Sequence, residues 1–344
     1  MKLKFAFLYL FLGCISLFLI NIKFTSNVKG EELQKVELNN EIKKGKFLIG
    51  LKQYLGGEND SFSKKKNINF ITDKGFLNLI SSNGIKHKSK EINISWVDIP
   101  IKNPKTIERI VFGPFASYES AKKQAEKLKD KGFETTVAYP KNWEVWIPFE
   151  DDLPEFELKN KISRKIKNFQ ITPVLRSEYS LMKLEGPIYI YAQEDITING
   201  VNFGKNFYLL KDLYGTWTLV QKIEFDDYLA GVLPYEIGPN SPLEALKAQA
   251  VIARTWGIFN SDRFNMDKYH LCITTQCQVY KPPKITNKNV KKAIEATSNL
   301  ILTYRNQPIN AFYHGSNGGV SATAGESWQI QDYSYFNSII DGSK

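Results

Sequence analysis

Hydrophobic and polar positions change their spacing several times along the chain, and each change predicts an element. Phe5–Ile22 is apolar except for Ser16 and Asn21; Lys2 and Lys4 precede it and a polar stretch, Thr25–Gln34, follows. A basic start, an unbroken apolar run and a polar sequel predict an uncleaved signal anchor, with the lysines in the cytoplasm and the bulk of the chain extracytoplasmic. Cleavage of that segment would instead make the protein secreted. Residues 1–29 are therefore read as anchor and tether. Residues 30–150 are read as a smaller α/β region. In it Phe47–Leu51, Ile92–Ile99, Ile110–Phe112, Phe133–Ala138 and Trp143–Ile147 read as strands. Ser117 is an N-cap candidate, Ala121, Ala125 and Leu128 share one helix face, and Gly132 ends that helix. The charge run Lys64–Lys66 reads as a solvated turn. Residues 151–170, rich in lysine and arginine, read as a charged linker or exposed helix.

Residues 171–344 are strand-rich at first, with Ile188–Ala192, Ile196–Val201, Phe207–Leu210 and Trp217–Lys222 as strands. A long alanine-rich helix follows. Ser241-Pro-Leu-Glu244 reads as a capping box with proline at the first helical position. Leu243, Leu246, Ala250, Ala253 and Gly257 then recur on one face, whose small side chains let another element approach closely. The fold class expected is α+β, a mixed strand-rich domain behind a smaller α/β region and a membrane segment.

Composition narrows the chemistry. Hydrophobic residues are 42% and charged residues 24% of the chain, which excludes a wholly disordered protein. Lys plus Arg is 46 against 36 for Asp plus Glu, a net charge of +10 that favours polyanions in general. Nucleic acid is a poor fit, because the basic residues are scattered and no recognition motif occurs. Three cysteines are too few for a disulfide scaffold, and three histidines leave no His-rich metal cage.

Two stretches resemble known families. Val111-Phe-Gly-Pro-Phe-x-Ser-Tyr-x-x-Ala121 to Lys131-Gly-Phe133, within 109–148, resembles part of a SPOR repeat, a module that binds peptidoglycan strands stripped of peptides; a generic βαβ layer gives the same pattern. Phe225-Asp-Asp-Tyr-Leu-x-Gly-Val-Leu-Pro-x-Glu236 and Pro242-Leu-Glu-Ala-Leu-Lys-Ala-Gln-Ala-Val-x-Ala-Arg-Thr255 resemble the stage II sporulation protein D (SpoIID/LytB) family. Cys272-x-Thr-Thr-x-Cys-Gln-Val-Tyr280, Ala293-x-x-Ala-Thr297 to Leu302-Thr-Tyr304, and Ala311-x-Tyr-x-x-Ser-x-Gly-Gly319 continue that resemblance in order. Best-known members of this family are lytic transglycosylases that cut peptide-free glycan strands.

The resemblance implies that Glu236 is the catalytic acid and base. It also places the Ser316, Asn317, Gly318, Gly319 loop in the cleft; its ordinary explanation is a turn needing positive φ at both glycines. Tyr280 and Tyr313 are candidates to stack on sugar rings, unless they are core. Lys247 and Arg254, on the alanine-rich helix, either face solvent or line a cleft. His270, Cys272 and Cys277 carry two readings, a three-ligand zinc site or a Cys272–Cys277 disulfide beside an unrelated histidine. Gln276 stands where relatives often carry a histidine. No cofactor is required by the expected chemistry, and zinc is the one candidate. Expected partners are peptidoglycan glycan strands, the membrane and a cell-wall amidase. Relatives usually continue past the segment matching Tyr333–Asp341, whereas this chain ends at Lys344. That ending favours the rival reading, a non-catalytic peptidoglycan-binding or amidase-enhancing protein.

Overall fold

The computed structural model describes residues 38–57, 67–149, 161–177, 180–282, 287–328 and 332–341. The expected anchor Phe5–Ile22, the charge run Lys64–Lys66 and the first part of the expected linker, 151–160, lie outside them. No helix among the described residues is long and apolar enough to cross a membrane.

Strand-rich α/β architecture follows from the alternating apolar positions. The strands are β1 (Lys46–Leu55), β2 (Asn67–Ile71), β3 (Leu77–Ser81), β4 (Lys86–Ser89), β5 (Glu91–Phe115), β6 (Thr136–Ala138) and β7 (Trp143–Pro148). They continue with β8 (Lys161–Arg176), β9 (Leu181–Lys183), β10 (Ile188–Ile198), β11 (Val201–Lys211), β12 (Trp217–Glu224) and β13 (Leu271–Cys272). All thirteen share one branched sheet, with the central path β13-β1-β12-β11-β10-β2-β5-β7-β6. The principal helices are α1 (Tyr118–Asp130), α2 (Phe225–Glu236), α3 (Leu243–Phe259) and α4 (Lys288–Ala296).

Several strand expectations are corrected here. The residues read as a linker are, from Lys161 onward, the strand β8, which pairs with β5 from Asn93↔Arg176 to Val111↔Lys161. The expected strands Ile92–Ile99 and Ile110–Phe112 are accordingly two ends of one strand, β5. Pairing satisfies backbone groups whatever the side chains are, so a solvent-facing strand carries lysines without penalty. One sheet runs through strands of both the N-terminal region and the later residues. β1 lies antiparallel to β12 (Phe47↔Ile223) and parallel to β13 (Gly50↔Cys272). Asn199-Gly200, at φ 48° and 84°, turns the chain between β10 and β11, where one strand, Ile196–Val201, had been expected.

Helix α1 forms as its sequence dictates: the Ser117 hydroxyl accepts from the Ser120 N–H at 3.2 Å, and Ala121, Ala125 and Leu128 are buried. In α3 the capping box is not used. The N-cap is Pro242, the Ser241 hydroxyl donates to the Ile237 carbonyl at 2.7 Å, and Glu244 pairs with Lys247 at 2.8 Å. The small face does what its spacing predicts. A Cβ at Gly257 would lie 2.8 Å from the Phe47 ring, so the glycine lets α3 settle on β1. Leu246, Ala250 and Ala253 join Tyr228, Leu229 and Val232 of α2 in the main core. A second cluster packs α1, through Tyr118 and Ala121, against Trp143, Phe264, Tyr269 and Cys272.

Candidate active site

Glu236 is the last residue of α2. Pro234 inside the helix removes one N–H, but the Ile237 N–H still bonds the Leu233 carbonyl at 3.1 Å and holds the final turn. Gly238, at φ 90°, then redirects the chain. The Val279 N–H donates to Glu236 Oε1 at 2.8 Å, which fixes the carboxyl group at the edge of a cavity of about 340 Å³. Tyr118, Trp256, Phe312 and Tyr313 supply its aromatic lining. Tyr313 is held neutral well above its ordinary range, first by burial and then by the charge of Glu236.

Behind this wall stands a polar relay. Gln278 donates to the Tyr313 hydroxyl at 3.2 Å and to the Ala253 carbonyl at 3.4 Å, and its own carbonyl accepts from Tyr228 at 3.2 Å. Gln278 is buried, so its amide is locked in one orientation and aims the Tyr313 hydroxyl. The far wall comes from the start of α1. Glu119 pairs with Arg263, whose guanidinium sits between the Tyr118 and Trp256 rings at 4.7 and 4.8 Å. Trp143 Nε1 donates to the Gln276 side chain at 2.7 Å and Lys122 pairs with Asp262 at 3.1 Å, fastening the same wall. Among the described residues Glu236 and Glu119 are the two carboxyl groups lining the cavity, and Arg263 occupies Glu119.

The other expected site residues fall elsewhere. Arg254 is buried and donates to the Thr297 and Leu300 carbonyls and to Asp226 Oδ1, at 2.8, 3.1 and 2.9 Å. It is a brace joining α2, α3 and the end of α4, where its charge complements the helix C-terminus. Lys247 is on the outer face of α3, paired with Glu244. Tyr280 is core: it stacks on Tyr228 with centroids 5.4 Å apart and packs against Gly231, with Gln221 accepting from its hydroxyl at 3.4 Å. The Ser316–Gly319 loop does turn through positive φ at Gly318 and Gly319 (64° and 99°). It faces the end of the chain rather than the cavity: Asn317 donates to Asp341 at 3.1 Å, and the Asp341 N–H bonds the Gly319 carbonyl at 2.8 Å.

The residues proposed for zinc do not converge. His270 Nδ1 accepts from the Leu48 N–H at 2.9 Å and Nε2 contacts the Leu38 carbonyl at 3.1 Å. Both nitrogens are thus engaged by backbone, and burial pushes the imidazole down to about 4. Cys272 and Cys277 are joined by a disulfide, with their Cα atoms 5.7 Å apart. Among the described residues no three His, Cys, Asp or Glu side chains are grouped to hold a metal ion. This donor set does not fit zinc.

The segment that carries Glu236 is also the segment matched by a family model. Residues 214–304 match the profile of the SpoIID family, stage II sporulation protein. Over that stretch the chain is similar to the SpoIID family. It is 41% identical over 100 residues to the amidase enhancer of Bacillus subtilis, covering 29% of this chain and 13% of that protein. It is 32% identical over 124 residues to stage II sporulation protein D of the same organism, covering 32% and 36%. An uncharacterised protein of Brachyspira hyodysenteriae is 31% identical over 141 residues, covering 40% and 37%. The SpoIID match thus spans less than two-fifths of each of these relatives. Glu236, Arg254 and the cysteine pair lie within the profile, whereas Tyr313 and the whole α1 wall lie outside it.

Proposed function

We propose that this chain acts on the cell wall as a lytic transglycosylase on peptidoglycan glycan, with Glu236 as its acid and base. Protonated Glu236 donates to the glycosidic oxygen after N-acetylmuramic acid, and the C1–O bond breaks. The sugar's own C6 hydroxyl then bonds to C1 and gives its proton to the Glu236 carboxylate. Atoms balance without water, and the product end is a 1,6-anhydro ring. Hydrolytic glycosidases need a second carboxyl group as nucleophile or base. The observation that carries the reading is that, of the two carboxyl groups lining the cavity among the described residues, Glu236 has no ion-pair partner, whereas Arg263 holds the other. The rings of Tyr313, Phe312 and Trp256 suit the faces of a neutral, peptide-free sugar. In this reading Phe5–Ile22 holds the protein at the membrane with its bulk outside.

Digestion of peptide-free glycan strands by the full chain, beside Glu236→Gln, tests the proposal by product mass. Products lighter by one water than hydrolysed ends, lost in the variant, are expected. Ordinary reducing ends would contradict it. The similarity to a protein named amidase enhancer supports a second reading, glycan binding that stimulates an amidase. Absence of cleavage by folded protein, with an amidase accelerated, would select that reading.

A further inference from the structure

The charged stretch that reads as a linker builds a second cavity, remote from Glu236. It is a groove of about 630 Å³ on the β7-β5-β8 part of the sheet, roofed by the turn between β11 and β12. Register explains its lining. Lys105↔Lys167, Ile107↔Lys165 and Arg109↔Ser163 are successive same-face pairs of β5 and β8, and Val111↔Trp146 continues the face onto β7. Lys167, Lys165 and Arg109 therefore stand in a row on three consecutive same-face pairs, about 7 Å apart along the strands. The intervening residues, Ile110 and Val145, are buried, with Val145 in the cluster that packs against α1.

None of the three cations is bonded to an acid among the described residues. The Arg109 guanidinium is half-buried over the Trp146 ring, 3.8 Å from its centroid, and its N–H groups have no acceptor among those residues. Two carboxylates also line the groove: Glu144, which accepts from Trp146 Nε1 at 2.6 Å and whose charge also acts on Arg109, and Asp98, which lies beyond the row. Lys211 is pushed down by burial and then by the charge of Lys167, so positive charge crowds this end of the groove. An anion relieves such crowding, and a half-buried guanidinium without an acceptor offers paired donors to an oxyanion.

We propose that this groove binds a linear anionic polysaccharide or polyol-phosphate chain, its oxyanions seated along Arg109, Lys165 and Lys167. Repeating oxyanions on a flexible backbone match a row of cations along a strand. Stacked bases do not, because Arg109 already covers Trp146, and Phe169 is the one strongly exposed ring in the groove. The site is independent of the reaction proposed for Glu236.

The test is titration of the full chain, followed by tryptophan fluorescence, with polygalacturonate, poly(glycerol phosphate), neutral dextran and a thymidine 20-mer. Binding of at least one anionic polymer is expected, falling with added salt and unchanged in Glu236→Gln. The polymer that binds tells whether the oxyanion is carboxylate or phosphate. Arg109→Gln, and separately the solvent-facing pair Lys165→Gln with Lys167→Gln, should each weaken it by about tenfold or more. The lysine pair carries the test if Arg109→Gln does not fold. Failure of both anionic polymers, equal binding of dextran, unchanged affinity in the variants, or tighter binding of the thymidine 20-mer would each overturn the proposal.

Discussion

The Glu236 cavity and the Arg109 groove put polar side chains to opposite uses. Around Glu236 nearly every polar group has a partner: Val279 holds the carboxyl, Gln278 holds Tyr313, and Glu119 holds Arg263. In the groove Arg109 rests on a ring, and Lys165 and Lys167 face a shared space. Reaction demands one group in a defined orientation, so its neighbours must be locked. Recognition of a flexible anion demands donors still free to take it. The difference explains why similar residue types, arginine, glutamate and tryptophan, serve as wall in one cavity and as binding surface in the other.

The strongest way to break that comparison is Glu236→Gln. It should lower glycan cleavage by about 10²–10⁴-fold, the range for losing a general acid–base group, while leaving the melting temperature nearly unchanged. A similar loss from Arg109→Gln would merge the two sites. Arg254→Ala sharpens the line between brace and site. Removal of its bonds to Asp226, Thr297 and Leu300 should cost about 3 kcal/mol in urea unfolding. A stable variant with weakened substrate affinity would return Arg254 to the cleft.

Gly231→Ala is expected to cost about 1–3 kcal/mol by overpacking. Its Cβ would meet the Tyr280 ring and lie 2.6 Å from the Lys281 carbonyl, a backbone atom that cannot swing away. That result would establish Tyr280 as core; an unchanged stability would not.

The smallest effect is a pH dependence under the groove's roof. Asp267 accepts from the Leu213 N–H at 2.9 Å, and burial raises its carboxyl to about 7. Folding then binds a proton between about 4 and 7, so this stabilisation is present at low pH and lost as pH rises through about 7. His270 runs the other way, its depressed imidazole withdrawing stability as pH falls from about 6.5 towards about 4. Asp267→Asn retains the acceptor and cannot ionise. Its melting temperature relative to wild type should therefore climb from pH 5 to pH 8, a difference in which the His270 contribution cancels. A flat difference would contradict the burial of Asp267.

Elements with local causes were legible in the sequence. Helix α1 follows from the Ser117 cap and the Ala121, Ala125, Leu128 face, and the positive φ at Gly318 and Gly319 from the glycines themselves. The resemblance marked Glu236, which the structure places at a cavity. What escaped depends on partners distant in sequence. Lys165 and Lys167 are strand residues because β5, some sixty residues earlier, supplies their hydrogen bonds. Arg254 is buried because carbonyls at Thr297 and Leu300 await it, and no local pattern announces that. Gln278 was within reach, since it sits in the quoted Cys277-Gln-Val-Tyr280 block. Glu119 and Arg263 were not, because 144 positions separate them. The Asn199-Gly200 turn carried a readable signal, the favoured dipeptide of a tight hairpin.

The central claim is that Glu236 works alone, with the substrate's own hydroxyl in place of water. Digestion of peptide-free glycan in ¹⁸O-labelled water tests this directly, with the new ends weighed by mass spectrometry. The account predicts 1,6-anhydro ends that carry no label. Labelled reducing ends would mean that water attacks the sugar, and would contradict it.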